Sequence, residues 1–124
     1  MTSKKSGAFD TDGLLTAIDS MDADAFVSFL AEDARFRFGS APAITGREGI
    51  AVGVSAFFDT IAACQHQVAM TLLDGNTLVV EGEVTYQRHD DRQITLPFAN
   101  VFELAGELIR DYKIYIDIAP LYTN

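Results

Sequence analysis

Few side chains in this 124-residue chain are equipped for chemistry. It has two histidines, His66 and His89, and one cysteine, Cys64. His66 alternates with Val68, Met70 and Leu72, so on a strand the imidazole shares an apolar face. Such a group is either a proton-transfer candidate or a satisfied histidine at the rim of a core. Asn100 lies between Phe98 and Phe102 at the same spacing. A buried amide needs hydrogen-bond partners, so Asn100 either clamps the structure or orients a ligand. Asp117 closes the apolar run Ile114-Tyr115-Ile116. Alternation puts Tyr115 and Asp117 on one face, with Asp111 and Lys113, and leaves Ile114, Ile116 and Ile118 on the other. Asp117 is then either a solvated carboxylate or, if enclosed by apolar groups, a usable general base. Tyr86 shares a face with Val84 and brings its hydroxyl to a cavity or its rim, whereas His89 sits in a charged turn and is expected in solvent.

Other chemistries find little support. A single cysteine allows neither an intrachain disulfide nor a thiolate metal cage, and there is no HExxH string, so no metal site is expected. Asp10-Thr11-Asp12-Gly13 begins like a calcium loop but lacks the later ligands and reads as a helix start. No cofactor is implied. The formal net charge of −9 opposes binding to nucleic acid or anionic membrane, and the one basic cluster, Lys4-Lys5, falls in a polar start. With no signal-like or membrane-spanning apolar run, a cytoplasmic protein is expected.

The elements that must position these groups fall in two halves. Segment 1–9 is expected to be flexible, and 10–124 to form a single domain. Asp10 to Asp12 precede a helix carrying Leu14, Leu15 and Ile18. Asp22 caps a second, with Phe26, Phe29 and Leu30 as its stripe. Arg35-Phe36-Arg37-Phe38 alternates like a strand. Thr45 with Glu48 offers a capping box for a third helix, with Ile50, Val54, Phe57, Phe58 and Ile61 on one face. Gly49 and Gly53 on that helix suit close packing on a sheet. After Cys64, strand patterns run through 66–72, 78–88, 94–104 and 108–118, joined by short polar turns that imply antiparallel pairing.

Four motifs in this order are familiar. Phe29-Leu30-Ala31-Glu32-Asp33-Ala34-Arg35-Phe36, Thr45-Gly46-Arg47-Glu48-Gly49-Ile50, Val79-Val80-Glu81-Gly82-Glu83-Val84 and Tyr112-Lys113-Ile114-Tyr115-Ile116-Asp117 together resemble SnoaL-like proteins of the nuclear transport factor 2-like superfamily. The resemblance covers about residues 10 to 120. It implies an α+β fold of order ααβαββββ, with three helices on the concave face of a cone-shaped, curved antiparallel sheet, as in ketosteroid isomerase. It also implies a pocket between helices and sheet, and a homodimer through the outer sheet face. The apolar row Tyr112, Ile114, Ile116 and Ile118 is the expected dimer surface.

Within the superfamily, the ketosteroid isomerase triad falls on Leu14, Phe38 and Phe98. The epoxide hydrolase positions fall on Phe36, Phe38, Glu81 and Glu83, with only the last-strand aspartate kept, as Asp117. The polyketide cyclase-like branch, which uses that aspartate as its base, implies Asp117 as the catalytic group, assisted by His66 and Asn100. Phe36, Phe38, Met70, Tyr86, Phe98, Phe102 and Tyr115 would line the pocket, although the phenylalanines and Met70 equally suit a filled core. The ligand expected is a small apolar molecule, turned over by acid–base cyclisation, isomerisation, dehydration or hydrolysis. The alternative is a non-catalytic ligand-binding or dimerisation module.

Overall fold

The computed structural model describes residues 9–123. Two short helices open the chain, α1 (Thr11–Asp19) and α2 (Ala23–Val27). Each starts on an aspartate whose carboxylate accepts a backbone N–H of the first turn: Gly13 to Asp10 and Ala25 to Asp22, both at 3.0 Å. Then follow β1 (Leu30–Phe38), β2 (Ile44–Thr45), α3 (Arg47–Asp59), β3 (Ala63–Asp74), β4 (Thr77–Gln87), β5 (Gln93–Ala105) and β6 (Leu108–Tyr115), and a 3-10 turn (Ala119–Tyr122). The strands form one sheet in the order β2-β1-β6-β5-β4-β3. All pairs are antiparallel except β1 with β6, since the chain between them supplies the long crossover that parallel neighbours require.

Alternation on β4 and β5 turns Leu78, Val80, Val84 and Tyr86, and Leu96, Phe98, Asn100 and Phe102, toward the helices. Leu14 of α1, Phe26 of α2 and Ile50 and Val54 of α3 meet them in one core. Each such large apolar side chain contributes about 1.5–3 kcal/mol by leaving water. Gly49 and Gly53 do serve close packing. A Cβ on them would come within 3.2 and 2.9 Å of Ile44, which β2 lays against α3.

Several boundaries move from the sequence expectation. Leu30 starts β1 instead of extending the second helix, which ends at Val27. Thr45 pairs with Arg35 across β2 and β1, so it does not cap α3. The N-cap is Gly46, at φ +93° and without a side-chain cap bond. Of the start expected to be flexible, residues 1–8 and Lys4-Lys5 with them lie outside the described residues. Phe9 packs edge-on against Phe29 and Phe102, with ring centroids 5.9 and 6.1 Å away. The last strand stops at Tyr115, short of Asp117.

The sheet closes into a cone at one point. β3 and β4 stay in register from Ala63 opposite Gln87 to Val68 opposite Gly82, after which Met70 stands opposite Glu81. One extra residue on β3, Ala69, makes a bulge that bends the strand. The bend carries β3 directly across the inner side of Gly82. A Cβ there would overlap the Gln67 carbonyl oxygen and lie 2.9 Å from Val68 Cα, both backbone atoms. The bulge also reverses the facing of everything after it. Directly opposed residues share a face, so Met70 beside Glu81 and Leu72 beside Val79 point outward, not inward with His66. Gly82→Ala is therefore expected to cost about 3 kcal/mol, since neither backbone can give way. Gly75→Ala, at φ +62° with open space around it, should cost about 1 kcal/mol. Urea denaturation of both variants checks this, and equal losses would contradict the close approach at Gly82.

Candidate active site

Asp19, the last residue of α1, reaches the edge strand β3. Its Oδ2 accepts the His66 backbone N–H at 3.0 Å, and its Oδ1 lies 2.6 Å from His66 Nδ1. A carboxylate only accepts, so Nδ1 carries a proton and donates it, and Nε2 takes no part in the contact. The Cys64 thiol, one inward position earlier on β3, is 3.5 Å from the Ile18 carbonyl and 3.8 Å from Asp19 Oδ1. The Phe98 edge holds the imidazole from the other side, with centroids 5.2 Å apart at 79°. His66 is thus fixed by its own backbone, a carboxylate and a ring.

His66 borders a cavity of about 210 Å³ between the helices and the inner sheet face. Aromatic walls come from Phe26, Phe36, Phe38, Phe57, Phe98 and the rings of Tyr86 and Tyr112, closed by Ile44, Ile114 and Ile116. Phe57 links two sides, edge-on to both Phe38 (4.8 Å) and Tyr86 (5.7 Å). The lining includes the exposed Ala41, so the cavity opens beside the 39–43 loop. Among the described residues, no lysine, arginine or carboxylate lines the cavity. The polar groups are His66, Asn100, the two tyrosine hydroxyls and the Cys64 thiol. Asn100 is only 2% exposed, and its Oδ1 is buried without a hydrogen-bond partner among the described residues.

The structure thus brings His66, Asn100, Phe36, Phe38, Tyr86 and Phe98 to one cavity. The other expected residues lie elsewhere, each for a visible reason. Asp117 is exposed. Once β6 has ended, its Oδ1 accepts the Ala119 N–H at 3.0 Å and fixes the start of the 3-10 turn. Met70 is turned out by the bulge and is 44% exposed. Tyr115 projects from the outer face at 56% exposure. Phe102 is buried below the cavity against Tyr112, with centroids 4.4 Å apart. The row assigned to the dimer surface is also corrected. Tyr112 is in the core and Ile114 and Ile116 line the cavity, while Asp111, Lys113 and Tyr115 take the outer face. Glu81 and Glu83 are exposed on the outer face, and His89 is exposed with Nε2 2.9 Å from the Asp59 carbonyl.

Asp19 is the group that reading the sequence passed over. A signal was present, because an acid in the last turn opposes the helix dipole and needs another reason to be there. Asp19, Cys64 and His66 place potential metal-ligand atoms within 4.8 Å of one another. A cation would have to displace both the proton between His66 and Asp19 and the thiol proton. Burial first, then the charge and hydrogen bond of Asp19, push the Cys64 thiol from 9.0 up to about 12. The trio is built for hydrogen bonding.

Burial likewise raises the Tyr86 and Tyr112 hydroxyls above their ordinary 10.0. In the unfolded chain these three groups lose their protons first, so the native state then holds more protons and stability falls as pH rises. The contribution is complete below about pH 9 and declines upward through about pH 12. Urea midpoints should drop between about pH 9 and about pH 12, and Cys64→Ala should flatten the first part of that drop. A level profile would contradict the burial of these groups.

A family model described as a SnoaL-like domain matches residues 12–112. No curated protein matches the chain. Among solved structures, a candidate polyketide cyclase from Xanthomonas campestris pv. campestris is 21% identical, covering 89% of each chain with a TM-score of 0.79. A protein of ketosteroid isomerase-like fold from Catenulispora acidiphila, in complex with trimethylamine, is 17% identical. It covers 84% of this chain and 82% of its own, with a TM-score of 0.78. An LEH-like epoxide hydrolase from M. tuberculosis, also 17% identical, covers 86% and 79% with a TM-score of 0.73. The bulged, conical sheet with its helix-covered cavity is therefore the ketosteroid isomerase-like, nuclear transport factor 2-like fold, and the chain belongs to the SnoaL-like domain family.

Proposed function

We propose that this SnoaL-like protein is an acid–base enzyme acting on a small, largely apolar molecule, with His66 as its proton-transferring group. The observation that carries the reading is the Asp19–His66 contact of 2.6 Å at the wall of an aromatic cavity. Asp19 fixes the tautomer and stabilises the imidazolium that forms when Nε2 takes a substrate proton. Returning that proton to a different atom completes an isomerisation or cyclisation with no other reagent. Asn100 orients the substrate and the apolar walls exclude bulk water. Small molecules suit related folds, as the trimethylamine complex of the Catenulispora protein illustrates. Among candidate cyclic ketones and enols, turnover is followed by deuterium uptake from heavy water. His66→Gln should lower the rate about 10²–10⁴-fold, the usual range for a lost general base. Asp19→Asn should lower kcat more than it changes KM. Asp117→Asn should leave the rate unchanged, and a substrate whose turnover needs Asp117 but not His66 would overturn the assignment.

We also infer a homodimer through the outer sheet face. The registers align Leu72, Val79, Val101 and Lys113 in one row across four strands, and Met70, Glu81, Ala99 and Tyr115 in the next. Leu72 and Tyr115 are more than half exposed, an apolar strip that a two-fold partner would cover. Sedimentation should give a dimer at micromolar concentration and a monomer for Leu72→Asp. A monomeric native chain would sink this reading.

A further inference from the structure

From the charges on the outer sheet face we infer that a second copy of this chain seats its Glu81 on the Arg37–Lys113 pair, about a two-fold axis running along the strands near β5. The inference rests on the reading of that face as a dimer surface, and adds the partner's orientation and the charges that fix it. Arg37 of β1 stands directly opposite Lys113 of β6, two cations side by side on the outer face. Like charges so placed are destabilising. The ion pairs among the described residues are Asp19–His66 and Arg88–Asp90, so neither cation is paired. On β4, Glu81 and Glu83 are exposed on the same outer face and are equally unpaired. Between the two flanks β5 presents Pro97, Ala99 and Val101, none of them charged. The row at the strand ends is mixed in sign, with Arg35 opposite Asp111 and Asp111 opposite Glu103, and adds no bias.

Two sheets packed face to face are related by a two-fold axis lying in the interface, either across the strands or along them. An axis across the strands lays each strand on its own copy, so the cationic column meets cations and the acidic column meets acids. An axis along β5 exchanges the flanks and lays β6 over the partner's β4. Glu81, Ala99 and Tyr115 share one row in the register, so the partner's Glu81 then arrives over Tyr115. Tyr115 borders a shallow hollow together with Arg37, Ser40 and Lys113. Lys113 lies one row away, about 7 Å along the strand, a step that a lysine and a glutamate span together. The contact forms twice, once on each side of the axis. At a net charge of −9 per chain two copies repel overall, so association depends on where opposite charges meet.

The test is sedimentation of the purified full chain over a range of concentrations, with the two flanks reversed separately. Arg37→Glu with Lys113→Glu makes one variant, and Glu81→Lys the other. Each alone should raise the dimer Kd about 100-fold, since like charges then face each other at both contacts. An equimolar mixture of the two should form a heterodimer with a Kd close to the native one, because every contact again joins opposite charges. If a reversed variant does not fold, Glu81→Gln and Lys113→Gln take its place. Each should weaken the dimer about tenfold, and the two together no further, as expected for partners in one contact. A native dimer that either reversal leaves intact keeps the dimer reading and overturns this pairing. Reversed variants that fail to pair on mixing, or Gln variants whose effects simply add, overturn it as well. A monomeric native chain removes both readings and leaves the face to another occupant.

Discussion

The missing side chain at Gly82 is the constraint on which most of this structure depends. Because no Cβ stands there, β3 passes over the inner side of β4 at backbone contact distance. An antiparallel pair that kept its register past Val68 would continue as a gently twisted ribbon. The extra residue bends β3 inward and tightens the sheet into a cone. The bend sets His66 on the wall of the cavity, within reach of the end of α1. It also turns Met70 and Leu72 outward, so one backbone event shapes both the cavity and the surface behind it.

Asp19 uses the reach that the bend provides. It joins the end of the first helix to the edge strand through two hydrogen bonds to a single residue, His66. Taken locally, the carboxylate is misplaced, since a helix C-terminus carries partial negative charge. The cost is recovered across the sheet, where it meets a backbone N–H, an imidazole and a thiol. Such local conflict resolved by a distant partner is common at sites kept for function, and here it orients the imidazole that borders the cavity.

How much of this could be read from the sequence depends on whether local pattern or a distant contact decides. The order of elements was legible because Asp10, Asp22 and the apolar spacings after them act within a few residues. The inward faces of β4 and β5 were legible too, since alternation continues unbroken from Leu78 to Tyr86 and from Ile94 to Phe102. Period-2 reasoning failed where the period was interrupted. Ala69 adds a residue, and every inference about Met70 and Leu72 reversed. At the last strand the pattern Ile114, Ile116, Ile118 looked the same whether it faced the helices or solvent. Only the pairing of β6 between β1 and β5 decides that this face is inward. Asp117 misled for a related reason, because the apolar residues continue after the hydrogen-bonded ladder has ended. The Asp19–His66 contact spans 47 positions and left only the indirect trace of an acid at a helix end.

The distribution of charge sets the cavity apart from the rest of the molecule. The chain carries 18 acidic and 9 basic side chains, yet among the described residues no Asp, Glu, Lys or Arg lines the cavity. Asp19 stands one layer behind the wall, against the imidazole, so the cavity is lined by His66 without a fixed charge. Burial holds Cys64, Tyr86 and Tyr112 in their neutral forms across the ordinary pH range. Beside that neutral lining, the Asp19 carboxylate stands against the His66 imidazole as a counter-charge already in place. In an apolar chamber such a preset counter-charge is worth more than in water, because little solvent reorganises to compete with it. An apolar lining with one fixed charge behind it suits a reaction that creates and then removes a single charge, as the proton transfer proposed for His66 would.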